Sequence, residues 1–170
     1  MAARLWRTER CKVLRLACWN AELLCGRKLK LEHFINQQCV YICLLSEIFR
    51  NPGQAFWLPS YVCLHTDMMT AVSGTASMVR RSIVHNTVHV PGLTHLEATP
   101  IQDTLPGKLM RTLAAYVSPL RSLIGADTTT CFGGGLPGLM AGDFNAKHVV
   151  WISRLSTRRG KPLLHFSEKN

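Results

Sequence analysis

Polar side chains that could hold a cation or activate a water molecule recur where short apolar segments of the chain end. They are Asn20, Glu47, Tyr116, Asp143 and Asn145. Carboxylate and amide oxygens are the ligands that Mg²⁺ prefers, and a carboxylate can also orient or deprotonate water. Asn and Tyr donate hydrogen bonds to a phosphate without adding negative charge beside it. These residue types are what a metal-assisted phosphodiester hydrolase needs.

Each of these residues also has a purely structural interpretation. Asn20 could terminate a strand, Glu47 could cap the following turn, and Tyr116 could be a core aromatic. Asp143 and Asn145 could be turn formers, a role that both residue types favour. Their i, i+2 spacing also lets the two side chains point in the same direction and share one site.

The first part of the chain predicts a β–α–β unit. Residues 13–20 and 40–46 are short and apolar, as in buried strands. Between them, residues 27–38 carry apolar side chains at helical spacing. Such a succession predicts two parallel strands joined by a crossover helix, with polar residues gathered where the strands end.

The rest of the chain predicts a meander of short strands over residues 61–65, 75–80, 83–90, 93–102 and 108–117. Pro100 cannot donate a ladder hydrogen bond, so its strand is expected to be an edge strand or to be bulged. The residues between 50 and 59 are expected to form a loop, as are residues 118–137 with Gly133, Gly134 and Gly135. A short strand at 139–142 and a helix starting at Pro162 complete the prediction.

Composition limits the class of protein. A length of 170 residues suits one domain, and a net charge of +10 favours a polyanionic partner, nucleic acid first. No apolar run approaches the roughly 20 residues that cross a bilayer, and the charged first residues do not fit a secretory signal. The 7 cysteines, an odd number, predict reduced thiols in an intracellular compartment, nuclear or cytoplasmic.

One block of sequence is specific enough to name a family. Residues 142–160 contain GDFNAKH, then W-I-S-R and R-R-G, and resemble the corresponding block of the endonuclease domain of jockey-type non-LTR retrotransposons, in the endonuclease/exonuclease/phosphatase superfamily. The segments LACWNAEL, LLSEIF, GTASMVRRSI, LEATPIQ and LAAYVSP resemble further segments of that domain in the same order.

The resemblance implies an α/β fold, a two-sheet sandwich like that of deoxyribonuclease I, incomplete at the C-terminus. Residues 1–170 would form a single truncated domain in which residues 1–10 are flexible. It implies Mg²⁺ or Mn²⁺ as cofactor and DNA as partner, with no membrane, and a reverse-transcriptase domain downstream in a longer polyprotein. The expected reaction is nicking of target DNA, which leaves a 3′ hydroxyl that primes reverse transcription.

The family's site residues transfer one by one to this sequence. Glu47 would be the metal ligand, and Asn20 would help to orient the metal-bound phosphate. Tyr116 would stabilise the phosphate or the developing oxyanion, Asp143 would activate water, and Asn145 would bind phosphate. The basic residues after the motif would contact the DNA backbone or form a solvated basic loop; they are Lys147, His148, Arg154, Arg158 and Arg159.

The sequence also departs from the family pattern. No Ser-Asp-His element occurs in the 170 residues, whereas the family carries one near the end of the domain. Ile152 replaces a glycine of the family's W-G-S-R element, a glycine suited to a turn. These departures leave two alternatives open: a catalytically dead, retroelement-derived remnant that at most binds nucleic acid, and a phosphoesterase acting on phosphoinositides or sphingomyelin.

Overall fold

In the computed structural model, two four-stranded sheets pack face to face with helices on their outer surfaces. The structure describes residues 14–22, 24–49, 56–66, 74–105, 108–123 and 125–169. The predicted flexible residues 1–10 and most of the predicted 50–59 loop lie outside these ranges. The strands are β1 (Leu16–Asn20), β2 (Ile42–Ser46), β3 (Tyr61–Thr66), β4 (Thr75–Arg80), β5 (His85–Thr87), β6 (Leu96–Leu105), β7 (Lys108–Val117) and β8 (Gly138–Asp143). The helices are α1 (Leu24–Gln37), α2 (Gly125–Phe132) and α3 (Gly160–Lys169), with a 3-10 turn at Val149–Trp151.

The first sheet has the strand order β1-β2-β4-β3. β1 and β2 pair in parallel and α1 connects them, as the β–α–β pattern predicts. Strand β2 is buried along its whole length, which explains why its sequence is continuously apolar rather than alternating. Leu24, Leu31 and Ile35 of α1 are buried in the core cluster that covers the outer face of this sheet.

The second sheet has the order β5-β6-β7-β8. β5 and β6 are antiparallel, as are β6 and β7, whereas β7 and β8 pair in parallel. β5 pairs with residues 101–103 of β6 and stops there. Pro100 therefore lies just past the end of β5 and has only β7 as its neighbour. The prediction that the strand of Pro100 is an edge strand or is bulged is wrong, because β6 lies between β5 and β7 and its ladder with β7 is unbroken. The missing N–H of Pro100 is tolerated because β5 has ended before it, and the predicted 83–90 strand shrinks to His85–Thr87.

The prediction of a loop over residues 118–137 is wrong in its centre, where α2 forms the crossover between β7 and β8. The prediction failed because Thr128, Thr129 and Thr130 are weak helix formers and glycines flank them. In the structure the threonine hydroxyls donate to the carbonyls of Gly125 and Ala126, at 2.8–2.9 Å, within the helix itself.

Asp127 fixes α2 against the start of β6. Its carboxylate accepts hydrogen bonds from the backbone N–H groups of Thr94, His95 and Leu96, at 3.1, 2.8 and 2.9 Å. Burial alone would raise the pKa of Asp127, but the three hydrogen bonds outweigh burial, and the pKa lies below its ordinary value. The helix that the sequence did not reveal is therefore held in place by a buried carboxylate.

The two sheets are held together by an apolar layer and by hydroxyl hydrogen bonds. Ile42, Leu44 and Val79 of the first sheet pack against Ile101 and Ala114 of the second. Between β4 and β6, the Thr75 and Thr99 hydroxyls lie 2.7 Å apart, and the Ser77 hydroxyl donates to the Thr99 carbonyl at 2.6 Å. These contacts fix how the two sheets lie on each other, and so bring particular strand ends together. None of the described helices is long and apolar enough to span a membrane.

Candidate active site

The predicted site residues lie at one end of the sandwich, where strands of both sheets finish. In the first sheet, Asn20 pairs with Ser46, and Glu47 follows directly. In the second sheet, Tyr116 pairs with Asp143 on one side and with Glu97 on the other. We refer to these residues together as the rim cluster: Asn20, Glu47, Glu97, Tyr116, Asp143 and Asn145.

A hydrogen bond between Asn20 and Asp143 joins the two sheets at this end. Asn20 Nδ2 donates to Asp143 Oδ2 at 3.1 Å across 123 positions of sequence. The other carboxylate oxygen, Oδ1, accepts from the backbone N–H of Asn145 at 2.8 Å. The orientation of the Asp143 carboxylate is thus fixed by one hydrogen bond to each oxygen. Each oxygen can still accept a second hydrogen bond through its other lone pair.

Asn145 is held in a backbone conformation that few residue types tolerate. Its φ is 46°, in the left-handed region, where asparagine is several-fold enriched among non-glycine residues. Its Nδ2 donates to the carbonyl of Val117 at 3.0 Å. The loop after β8 is therefore tied both to its own Asp143 and to the end of β7.

Tyr116 and Glu47 form the second link between the sheets. The Tyr116 side chain is buried, and its hydroxyl is hydrogen-bonded to the Glu47 carboxylate. Burial, followed by the charge and the hydrogen bond of Glu47, raises the pKa of Tyr116 to about 12. A tyrosine hydroxyl keeps its proton at neutral pH even at its ordinary pKa, and the raised pKa extends that range, so the phenol acts as a hydrogen-bond donor.

Glu97 belongs to this cluster, although the sequence analysis did not single it out. It is buried, and its Oε2 accepts from the backbone N–H of Gly74 at 3.0 Å. The Gly74 carbonyl in turn accepts from the N–H of Ile48 at 3.3 Å. Glu97 thereby positions the turn that carries Glu47. One feature of the sequence could have pointed to Glu97: it is the only carboxylate before Asp103 in the otherwise mostly apolar strand segment LEATPIQ. A charged residue in a buried strand is uncommon, and in the structure Glu97 pairs with Tyr116.

Two glycines let the backbone approach closely around the GDFNAKH block. A Cβ on Gly142 would lie 1.7 Å from the Ala115 carbonyl oxygen, so only glycine fits between β7 and β8 just before Asp143. A Cβ on Gly160 would lie 1.9 Å from the Lys147 carbonyl oxygen. The glycines of the GDFNAKH and R-R-G elements thus have a packing role that spacing alone did not reveal.

The basic residues after the motif divide into two kinds. Lys147, Arg154 and Arg158 are exposed. The guanidinium of Arg159 instead donates to the backbone carbonyls of Pro119, Arg121 and Asn145, which ties the 118–121 loop to the site.

His148 has a local structural role in the turn that follows the motif. Its Nδ1 accepts from the Val150 N–H at 3.3 Å and caps the 3-10 turn. Contact of the basic residues after the motif with DNA remains a prediction. In addition, Arg159 and His148 have structural roles in the chain itself.

The donor set of the rim cluster suits a hard divalent cation. Glu47 and Asp143 offer carboxylate oxygens, and within the described part of the chain the buried Asn20 Oδ1 has no hydrogen-bond partner. Mg²⁺ is commonly held by one or two carboxylates and keeps several waters. Among the described residues, no group of three or more His, Cys, Asp or Glu side chains could hold a metal by itself. The donors that the rim cluster does offer are carboxylate and amide oxygens, which are typical of Mg²⁺ sites, whereas structural zinc sites are built mainly from Cys and His.

No family model matches the chain. Its sequence is similar to the RNA-directed DNA polymerase from the mobile element jockey of Drosophila melanogaster, with 25% identity over 153 residues, and to that of Drosophila funebris, with 27% identity over 154 residues. Each match covers 88% of this chain but 17% of the relative, so the chain spans about a sixth of the length of these curated relatives. The predicted resemblance to jockey-type elements is confirmed.

Solved structures give the fold. The endonuclease domain of TRAS1, a telomere-specific non-LTR retrotransposon, superimposes with a TM-score of 0.72 at 16% identity, covering 92% of this chain and 71% of that one. The Xenopus laevis APE2 catalytic domain gives 0.50 at 13% identity, covering 77% and 58%. The chain has a deoxyribonuclease-I-like two-sheet α/β sandwich, as the resemblance in the sequence predicts.

Proposed function

We propose that this chain is the DNA-nicking part of a jockey-type retroelement and cleaves one strand of target DNA to leave a 3′ hydroxyl that primes reverse transcription. The observation that carries the proposal is the hydrogen bond between Asn20 and Asp143. It joins residues from opposite ends of the sequence, at the end of the sandwich where the other predicted site residues also lie. The similarity to jockey and to the TRAS1 endonuclease domain supports DNA as the substrate.

The rim residues suit distinct roles in phosphodiester cleavage. Asp143, oriented by Asn20 and by the Asn145 N–H, would position and deprotonate the attacking water. Tyr116 is protonated at neutral pH, with a pKa raised to about 12, and its O–H would turn from Glu47 to donate to a phosphate oxygen as negative charge develops there. Asn145 would add a neutral amide beside the same phosphate.

The metal would be held by Glu47, with the Asn20 amide oxygen as a second oxygen donor. When bound there, a divalent cation polarises a phosphoryl oxygen and stabilises the leaving oxygen. Glu97 would hold the Glu47 turn in place through Gly74. The net charge of +10 supplies the long-range attraction to DNA.

A supercoiled-plasmid nicking assay tests this proposal. The chain is expected to convert supercoiled plasmid to open circles with Mg²⁺ and not with EDTA. Asp143→Ala and Glu47→Ala are each expected to lower the nicking rate by about a thousandfold or more, because such groups act as a unit. Glu168→Ala, which removes an exposed carboxylate of α3, is the matched control and should nick at the wild-type rate.

A second candidate function is salt-sensitive binding of nucleic acid without turnover. The net charge of +10 supports it, because attraction to phosphates needs no catalytic site. Under this alternative, the wild type and Asp143→Ala would bind DNA equally, with an affinity that falls steeply with salt, and neither would nick the plasmid. Wild-type nicking that disappears in Asp143→Ala would rule the alternative out.

A further inference from the structure

Apolar side chains project into solvent immediately after the GDFNAKH block. This 149–155 ridge consists of Val149, Val150, Trp151, Ile152 and Leu155, with exposures from 39% for Trp151 to 97% for Ile152. Single exposed apolar residues are ordinary on a protein surface, but five of them within seven positions of sequence are typical of an interaction site. The ridge therefore calls for a partner.

The backbone beneath the ridge is braced at several points. The N–H groups of Trp151 and Ser153 both donate to the His148 carbonyl, at 3.0 and 3.4 Å, and the Ile152 N–H donates to the Val149 carbonyl at 3.0 Å. At the base of the turn, the Thr157 N–H donates to the Lys147 carbonyl at 2.8 Å. The apolar side chains are thus presented by a defined turn, which lowers the entropic cost of inserting them into a partner.

Ile152 stands at the tip of the ridge in an unfavourable conformation. Its φ is 60°, in the left-handed region, where a β-branched residue is a genuine outlier. Strained residues of this kind cluster at ligand-contacting sites. An exposed, strained isoleucine contributes nothing to the core of the described structure, so its apolar side chain is available for a partner.

The position and charge of the ridge identify the partner chemistry. It follows Asp143 and Asn145 in the chain, and Arg159 ties the loop at Asn145 to the loop at Pro119. The exposed cations Lys147 and Arg158 flank it in sequence, and the exposed Arg154 lies within it. Cations attract phosphates, and apolar side chains between them can wedge between base pairs. DNA offers both the phosphates and the stacked base pairs that these two kinds of side chain would contact.

We propose that the 149–155 ridge is a wedge that enters the base stack of DNA bound at the rim cluster, with Ile152 at its tip. The inference rests on the proposed function in taking DNA as the ligand, but it does not depend on cleavage. It adds a DNA-distorting element and gives the apolar residues after the motif a role distinct from the phosphate contacts expected of Lys147, Arg154 and Arg158.

A duplex carrying 2-aminopurine tests the wedge without cleavage, because this base fluoresces more strongly when it is unstacked. Binding is measured in EDTA by anisotropy, and unstacking by 2-aminopurine fluorescence, with the label moved along the duplex. Wild-type protein is expected to raise the fluorescence at one or two adjacent positions. Ile152→Gly and Trp151→Ala should abolish this rise and weaken binding by about tenfold, as expected for the loss of a stacking contact.

The control separates the wedge from general apolar exposure. Val84 is an exposed aliphatic residue at the other end of β6, next to β5, and Val84→Ala should keep both the fluorescence rise and the affinity. The salt dependence of binding should be the same in all variants, because the phosphate contacts are untouched. Thermal melting of each variant establishes that the chain is folded.

Several results would overturn the wedge. One is wild-type binding with no fluorescence rise at any label position; another is an unchanged rise in Ile152→Gly. A ridge variant that binds DNA normally but changes the oligomeric mass of the chain would assign the ridge to a protein contact instead. A fluorescence rise that depends on Ile152, in a chain that never nicks plasmid, would keep the wedge and refute the proposed function.

Discussion

The rim cluster and the 149–155 ridge both reverse the usual distribution of side chains, and they do so in opposite ways. In the rim cluster, Glu97 and Tyr116 place polar groups in buried positions. In the ridge, Ile152 places an apolar group in water. Burying a polar group costs little folding free energy when the group is hydrogen-bonded. Exposing the apolar Ile152 side chain to water also costs folding free energy, and no contact of that side chain within the described residues offsets it.

This difference predicts how variants of the two regions should behave. Because the rim cluster is built from hydrogen bonds between the sheets, changes there should lower both the stability and the proposed activity. Because the Ile152 side chain is 97% exposed, changes at the tip of the ridge should leave stability intact, or improve it, while altering only contact with DNA. Places where local rules are broken are where function is expected.

The largest expected effect is that of Gly142→Ala, which acts on the strand that carries Asp143. The new Cβ would lie 1.7 Å from the Ala115 carbonyl oxygen, so β8 must move away from β7. We expect a loss of about 3 kcal/mol in the free energy of unfolding, at the upper end for overpacking.

Gly26→Ala is the matched control for Gly142→Ala. It lies in α1 with nothing within 4 Å of its new Cβ, and it should gain up to about 1 kcal/mol from helix propensity. Urea denaturation measures both variants. Equal stabilities would contradict the close approach of the two strands.

The next largest effect is expected at Glu97. Glu97→Ala leaves the N–H of Gly74 without its acceptor, and should cost about 1–3 kcal/mol and lower the nicking rate by releasing the Glu47 turn. Glu97→Gln retains an acceptor oxygen and should recover most of both losses. If Glu97→Gln were as unstable as Glu97→Ala, the hydrogen bond to Gly74 would not be what positions the turn.

Ile152→Gly should stabilise the chain, in contrast to any change in the rim cluster. An L-residue in the left-handed region costs roughly 1–2 kcal/mol, and glycine, at some entropic cost of its own, removes this strain. A gain of about 1 kcal/mol in thermal denaturation is expected, together with the loss of DNA unstacking. Val150→Gly, in the 3-10 turn, is the control and should not raise the stability. If Val150→Gly raised the stability as much as Ile152→Gly, backbone strain at Ile152 would not be the cause of the gain.

The smallest of these effects is the pH dependence that the Tyr116 hydroxyl gives to stability, which appears only in alkali. The pKa of Tyr116 is about 12 in the folded chain and near 10 when unfolded. Stabilisation from the retained proton is therefore complete below pH 10 and is lost as the pH rises from about 10 to 12.

Tyr116→Phe should show a shallower fall of stability over this interval. Cys43 and Cys131, whose thiol pKa values burial raises to about 12, contribute a common background to both proteins. Denaturation at several pH values gives the comparison, and parallel pH profiles would mean that the Tyr116 phenol is not held in its protonated form.

Much of the fold could be predicted because hydrophobic runs and turn residues mark it plainly. β4 and β7 have the predicted bounds, and the parallel pairing of β1 with β2 is as predicted. α2 could not be predicted, because its stability comes from Asp127 reaching the start of β6 and from threonine hydroxyls bonded within the helix. Those contacts depend on tertiary structure that propensity does not contain.

The candidate site was predictable by residue type and by resemblance, but its supports were not. Asn20, Glu47, Tyr116, Asp143 and Asn145 are brought to one end of the sandwich, and their catalytic roles stay predictions. The part played by Glu97 depends on Gly74, a partner distant in the sequence. The replacement of the family's glycine by Ile152 was visible as a departure, and the structure shows its consequence in a left-handed turn.

The central claim is that Asn20 of one sheet and Asp143 of the other act as one catalytic unit on DNA. A double-mutant cycle on the single-turnover nicking rate tests it most directly, with wild type, Asn20→Ala, Asp143→Asn and the double variant. Residues in one hydrogen-bonded unit are strongly non-additive. The double variant is predicted to nick no more slowly than Asp143→Asn alone. Losses that simply multiply, or a wild-type chain that does not nick, would contradict the claim.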